Sequence, residues 1–368
     1  MKIKQNCRFF KPDIPCLFHK EEKIICKECR YYQPVEKEIL IIKRDALGDV
    51  LRTTSILSGL KKKFPSSRII WFTSEKSKDV LEGNHFIDEI WTENIYFLSA
   101  ISYFSFDILI NLDLSFESMV LAGNSVSKEK IGFWYDKKRK ISFSNSYAEK
   151  YFWLSHNDEE KKKNKKTYQE FLKEIIGLDY IGEIVVPLKK ESIEFAEKFA
   201  KKNKILGKKV IGVNIGSGSR WITKRWPEKN FLSFFSLVGN SYPIIILGGE
   251  EEKKIYKSLI SKSKISLLNP GFDNKISDFF AILNLCEVIL TADTLALHAG
   301  IGLGKKVVAL FGPTSSSEIE TYGRCIKIIT PMECYCCYKR KCPVYPKCME
   351  LIKPEEVFKE VKRCLNGE

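Results

Sequence analysis

Ile39-Leu40-Ile41-Ile42-Lys43-Arg44-Asp45-Ala46-Leu47-Gly48-Asp49-Val50 joins a short apolar run to a polar loop and then to a helical pattern. Four consecutive apolar residues fit a parallel strand buried on both faces. Gly48 permits a tight turn, and Asp49 stands where the next helix begins. The periodicity predicts one helix from about Val50 to Phe64, with Leu57, Leu60 and Phe64 on one face and Pro65 as its stop. Arg68-Ile69-Ile70-Trp71-Phe72 and Phe106–Leu112 read as further strands. The rhythm is strand, helix, strand, which implies a parallel α/β sheet.

The same rhythm restarts later. Val210–Asn214, Pro243–Leu247, Val288–Thr291 and Val307–Phe311 are short apolar runs. Each is followed by a glycine-containing turn or a helix-capping residue. These are Gly216-Ser217-Gly218-Ser219, Gly248-Gly249, Asp293-Thr294 and Gly312-Pro313-Thr314. Ligands of such sheets bind at the carboxyl ends of strands, so these turns outline one site. Gly216 to Lys224 has the small residues and cation of a phosphate cradle, without P-loop spacing. Glu251 and Glu252 follow a strand as a ribose-binding carboxylate does, and equally as acids favour any helix start. His298 lies one turn into the helix after Asp293-Thr294. Asp49 has a plain alternative role as a helix cap.

At 368 residues and 29% charged with 12% aromatic, the chain has the material for two packed domains rather than disorder. No apolar run approaches the roughly 18 residues of a membrane helix, and a cytoplasmic protein is expected. The net charge of +15 is uneven. Residues 128–173 hold 13 basic against 7 acidic residues, including the run Glu159 to Lys166. Such an excess suits an anionic membrane surface or nucleic acid, or merely reflects a lysine-rich composition. No recognition helix or aromatic RNA-binding strand accompanies it, so no nucleic-acid partner is expected.

Twelve cysteines stand mostly near the two ends. Cys7, Cys16, Cys26 and Cys29 close with a Cys-x2-Cys pair, which points to structural zinc, with an iron–sulfur cluster as the alternative. Cys334, Cys337, Cys342 and Cys348 form a second candidate cluster.

Taken together, the motifs resemble glycosyltransferase family 9, the lipopolysaccharide heptosyltransferases. The resemblance rests on Ile41-Ile42-Lys43 through Gly48-Asp49-Val50 with Thr53-Thr54, Glu82-Gly83-Asn84, and Ile215-Gly216-Ser217 with Lys224-Arg225-Trp226-Pro227. Leu247-Gly248-Gly249, Asp293-Thr294 with His298, and Ala309–Thr314 complete it. It implies a GT-B fold: two Rossmann-like domains facing across a cleft, here behind a small Cys-rich N-terminal module. The expected bounds are 1–34 for that module, 35–187 for an acceptor domain, 188–350 for a nucleotide-sugar domain and 351–368 for a helix returning to the first domain. The implied activity is inverting transfer from a nucleotide-diphosphate sugar to a lipid-linked or cell-envelope glycan, without catalytic metal. A GT-B epimerase or hydrolase is the alternative enzyme, and a nucleic-acid-binding protein with four-cysteine metal modules is the non-enzymatic one. Asp49 matches the family's general base. Gly216 to Ser219, Lys224, Asp293, Thr294 and His298 match its diphosphate site. One departure stands out: Leu295-Ala296 occupies the place where members commonly carry Gly or Gly-Pro.

Overall fold

The computed structural model describes residues 3–367. Two six-stranded sheets are built from successive stretches of chain. The first comprises β1 (Lys37–Ile42), β2 (Ser67–Phe72), β3 (Glu89–Trp91), β4 (Ser105–Asn111), β5 (Val126–Tyr135) and β6 (Ile141–Phe143). Its order is β3-β2-β1-β4-β5-β6, parallel except for the β5–β6 hairpin. The second comprises β7 (Ile211–Asn214), β8 (Ile244–Leu247), β9 (Leu267–Leu268), β10 (Val288–Ala292), β11 (Lys306–Phe311) and β12 (Cys325–Ile329), ordered β12-β11-β10-β7-β8-β9. Both have the strand order of dinucleotide-binding domains, which places a crevice beside the first strand of each half. The central strands are fully buried, as their unbroken apolar runs require: Ile39 to Ile42, Val213 and Ile244 to Leu247 are at most 1% exposed.

The helix expected over Val50–Phe64 is instead two, Leu47–Thr53 and Ile56–Lys63. Two hydroxyls at the break account for this. Thr54 Oγ1 donates to Leu51 O at 2.7 Å and Ser55 Oγ to Arg52 O at 2.9 Å. Such side-chain bonds take carbonyls that the helix ladder needs. The lysine run also differs from expectation. It closes a short helix, Asp158–Lys163, in which Lys161, Lys162 and Lys163 pair with Asp158, Glu159 and Glu160. That helix neutralises itself.

The last helix, Pro354–Asn366, packs on the second sheet rather than returning to the first. Val357, Val361 and Cys364 form one apolar stripe, and it joins Phe231, Phe234 and Val238 in the second core. The N-terminal segment docks on the first sheet. Arg8 pairs with Asp88 in a bidentate contact, and Arg68 Nη2 donates to Cys7 O at 3.1 Å. No helix among the described residues is long and apolar enough to cross a membrane.

Candidate active site

The carboxyl ends of both sheets line one cavity of about 1030 Å³. From the first sheet come the loop after β1, with Lys43 to Asp49, and the loop after β4, with Asp113. From the second come the loops after β7, β8 and β10. The expected residues Asp49, Gly216, Ser217, Gly218, Lys224, Gly248, Gly249, Glu252, Asp293, Thr294 and His298 all line it. Glu251 does not; it is exposed on the short turn Glu250–Glu252. Ser219 opens the turn Ser219–Lys224 that carries the lysine.

On the first-sheet side, Asp49 is the third residue of its helix, and the capping position belongs to Ala46. The plain capping role therefore does not explain it. Its carboxylate faces Arg52, with Arg52 Nη2 at 2.8 Å from Oδ1. Burial pushes the carboxyl pKa up, but the charges of Arg52 and Lys43 outweigh this and hold it below the usual value. Arg52 lies over the Tyr168 ring at 3.9 Å, so its planar cation is held on two sides. Beneath the loop, Lys43 Nζ donates to Asp113 Oδ1 at 2.5 Å, and Arg44 N donates to Asp113 Oδ2 at 2.6 Å. Asp113 thus ties the end of β4 to the loop that carries Asp49.

On the other side, Lys224 Nζ reaches both Asp293 Oδ2, at 2.9 Å, and Asp293 O, at 3.0 Å. Burial raises the Asp293 carboxyl, while Lys224 holds it well below the carboxylate range. Burial, with the nearby Arg52 charge, pushes His298 down to about 4, so its ring is neutral at pH 7. Thr294 caps the helix Leu295–Gly302 by accepting from Ala296 N at 3.2 Å. Asn214 Nδ2 donates to Thr294 Oγ1 at 3.0 Å and fixes that cap to β7.

Two glycines allow close approach. A Cβ at Gly48 would stand 3.0 Å from His298 Cδ2, so the two halves meet through a missing side chain. A Cβ at Gly216 would stand 2.8 Å from Glu252 Cδ. Glu252 is buried there, accepting from Gly249 N at 3.0 Å with Arg225 at 3.3 Å.

Sequence reasoning missed Arg52, Asp113 and Asn214. The three-residue spacing of Asp49 and Arg52 on a helix was a signal for the first. Asp113 follows directly on the β4 run, the position already flagged after other strands. Asn214 carried no signal apart from its strand end.

Cys7, Cys16, Cys26 and Cys29 are half-buried free thiols. Among the described residues no group of three or more His, Cys, Asp or Glu side chains is gathered to hold a metal ion. The candidate donor sets do not fit a metal as placed. Burial pushes the Cys348 thiol up to about 11, and Cys342, Cys337 and Cys334 lie near enough to add to the effect.

Two dinucleotide-type domains whose loop ends share one charged cavity are the GT-B architecture. The sequence pattern of glycosyltransferase family 9 (heptosyltransferase) matches residues 97–347, and the chain belongs to that family. It is 23% identical over 331 residues to lipooligosaccharide heptosyltransferase 2 of Campylobacter jejuni serotype O:2, covering 87% of this chain and 96% of that protein. It is 27% identical over 164 residues to the corresponding protein of serotype O:6, covering 43% of this chain and about half (52%) of the relative's length. Its fold matches a family 9 glycosyl transferase from Veillonella parvula with a TM-score of 0.77 at 21% identity, covering 91% of this chain and 98% of that one.

Proposed function

We propose that this chain transfers a sugar, heptose in the reading its relatives favour, from a nucleoside-diphosphate sugar to a hydroxyl of a lipopolysaccharide-type glycan. The carrying observation is that Asp49 and the Lys224–Asp293 pair line one cavity from opposite domains. In this reading Asp49 takes the proton of the acceptor hydroxyl as that oxygen attacks the anomeric carbon. The bond from that carbon to the diphosphate breaks, and the configuration inverts. Charge then grows on the leaving phosphate. Lys224, the backbone N–H groups of the Gly216 loop and the N-terminus of Leu295–Gly302 are fixed donors for it. That set supports transfer without a catalytic metal, and the rate is expected to survive EDTA. The cavity position of Glu252 favours it over Glu251 as the ribose carboxylate.

The test is a thermal-shift series with nucleotide sugars followed by a transfer assay on lipopolysaccharide core acceptors. ADP-heptose is expected to raise Tm more than UDP-glucose does, because a ligand that binds only the folded state stabilises it. Transfer should follow only when acceptor is present. Donor breakdown without acceptor at a comparable rate would make this a hydrolase instead.

A structural metal at Cys7, Cys16, Cys26 and Cys29 is a separate proposal, and it requires those thiols to draw together. Elemental analysis of reduced, untagged protein tests it. About one zinc per chain supports it; neither zinc nor iron removes it.

A further inference from the structure

Among the described residues, one face of the first sheet is covered by two helices, Ile95–Tyr103 and Phe116–Asn124. Their inward residues serve the core: Phe97 stacks on Trp91 at 5.3 Å, and Ile101 and Ala122 are fully buried. Their outward residues are also apolar. Ile95, Tyr96 and Tyr103 are 69%, 81% and 84% exposed, and Phe104, Phe116 and Val120 are exposed beside them. The first helix carries no charged residue along its whole length. Single exposed apolar residues need no explanation, but a contiguous stripe does. A solvent-facing helix ordinarily shows a polar outer face.

The stripe begins at the cavity mouth. Arg44, which lines the cavity, donates from Nε to Glu93 Oε1 at 2.8 Å and lies 3.7 Å from Glu117. Glu93 immediately precedes the cap of the first helix, and Glu117 is in the first turn of the second. The acids at this edge of the stripe are therefore paired with a cation.

Next to it stands the tip of the β5–β6 hairpin, Lys137-Lys138-Arg139-Lys140, all exposed. Among the described residues none of these four side chains has a carboxylate partner. Asp136 holds the turn by accepting from the backbone N–H groups of Lys138 and Lys140, at 2.8 Å each. The Phe116 ring lies 5.5 Å from that of Tyr135, the last residue before the turn. The basic tip thus adjoins the apolar stripe.

We propose that this face docks the protein on an anionic lipid bilayer, with the stripe at the headgroup boundary and the hairpin tip on the charged headgroups. Tyrosine suits that boundary because its ring is apolar and its hydroxyl is wet. Basic residues close to a negative leaflet add attraction that salt screens. The charge favours this occupant over a second copy of the chain, which carries the same +15. The cavity mouth then faces the lipid surface. The docking stands on this surface alone and does not depend on which sugar is transferred.

The test is co-sedimentation of the full chain with phosphatidylcholine vesicles, with and without phosphatidylglycerol. The wild type is expected to bind the anionic vesicles and to leave them at high salt. Lys137→Glu with Lys138→Glu should lower the partition coefficient about thirtyfold or more, at about 1 kcal/mol per basic residue removed. Tyr96→Ser with Tyr103→Ser should weaken binding at unchanged charge. Lys162→Glu with Lys163→Glu, in the self-neutralised helix, is the control and should cost far less than reversal at the tip. A nucleotide-sugar thermal shift in each variant reports that it is folded, independently of vesicle binding. Equal binding by wild type and tip variant, or none by wild type, overturns the proposal. So does a wild-type dimer that the tyrosine variant dissolves, because the face would then be a homodimer interface.

Discussion

In the proposed transfer Asp49 and Arg52 act together on the first-sheet side. Asp49→Asn keeps the shape of the side chain and removes its basicity, so donor-induced stabilisation should persist while turnover falls about 10²–10⁴-fold. Retained turnover with a lower Tm would instead mark a structural residue. Arg52 lowers the basicity of that carboxylate, at 2.8 Å, and so extends its ionised range toward acid. Arg52→Met should move the acid limb of the kcat/KM profile to higher pH, and an unmoved limb would assign that limb to another group. His298 gives a pH dependence of stability rather than of rate. Its ordinary pKa is 6.5 and its folded value about 4, so the unfolded chain takes up the proton first as pH falls. The stability it contributes is complete above 6.5 and is lost as pH falls towards 4. His298→Gln should flatten the Tm profile across that window.

Among the elements, the buried strands were legible because their apolar runs are unbroken. Ile39–Ile42 and Ile244–Leu247 need no partner to be recognised. β5 was missed because Val126-Ser127-Lys128-Glu129-Lys130 is largely exposed and lysine-rich until Ile131. The edge strands β3, β9 and β12 are short or half-exposed, so their pairing is decided by neighbours distant in sequence. The cavity loops were legible as turns after strands, whereas the Lys43–Asp113 pair depends on the register of β1 against β4, with Ile42 beside Asn111. That pair yields a prediction at this scale. Asp113→Ala would leave a buried lysine unpaired, a change that costs about 3–5 kcal/mol, and chemical denaturation should show it. A loss below about 1 kcal/mol would mean that water reaches Lys43 and replaces the carboxylate.

The whole molecule is two halves of matching strand order, each drawn from one continuous stretch of chain. The terminal helix stays with the second half, so the chain passes between the halves in the segment after Ile176 and does not return. Non-covalent contacts also join them. Tyr168 N donates to Glu318 O at 2.9 Å, Gly182 N to Ser55 O at 2.9 Å, and Val185 N to Thr54 Oγ1 at 2.9 Å. A gene divided between the codons for Asp179 and Tyr180 would therefore give two fragments that each keep a whole sheet. Co-expressed with a tag on one fragment only, the pair is expected to co-purify and to regain transfer, a split enzyme assembled by its own cleft walls.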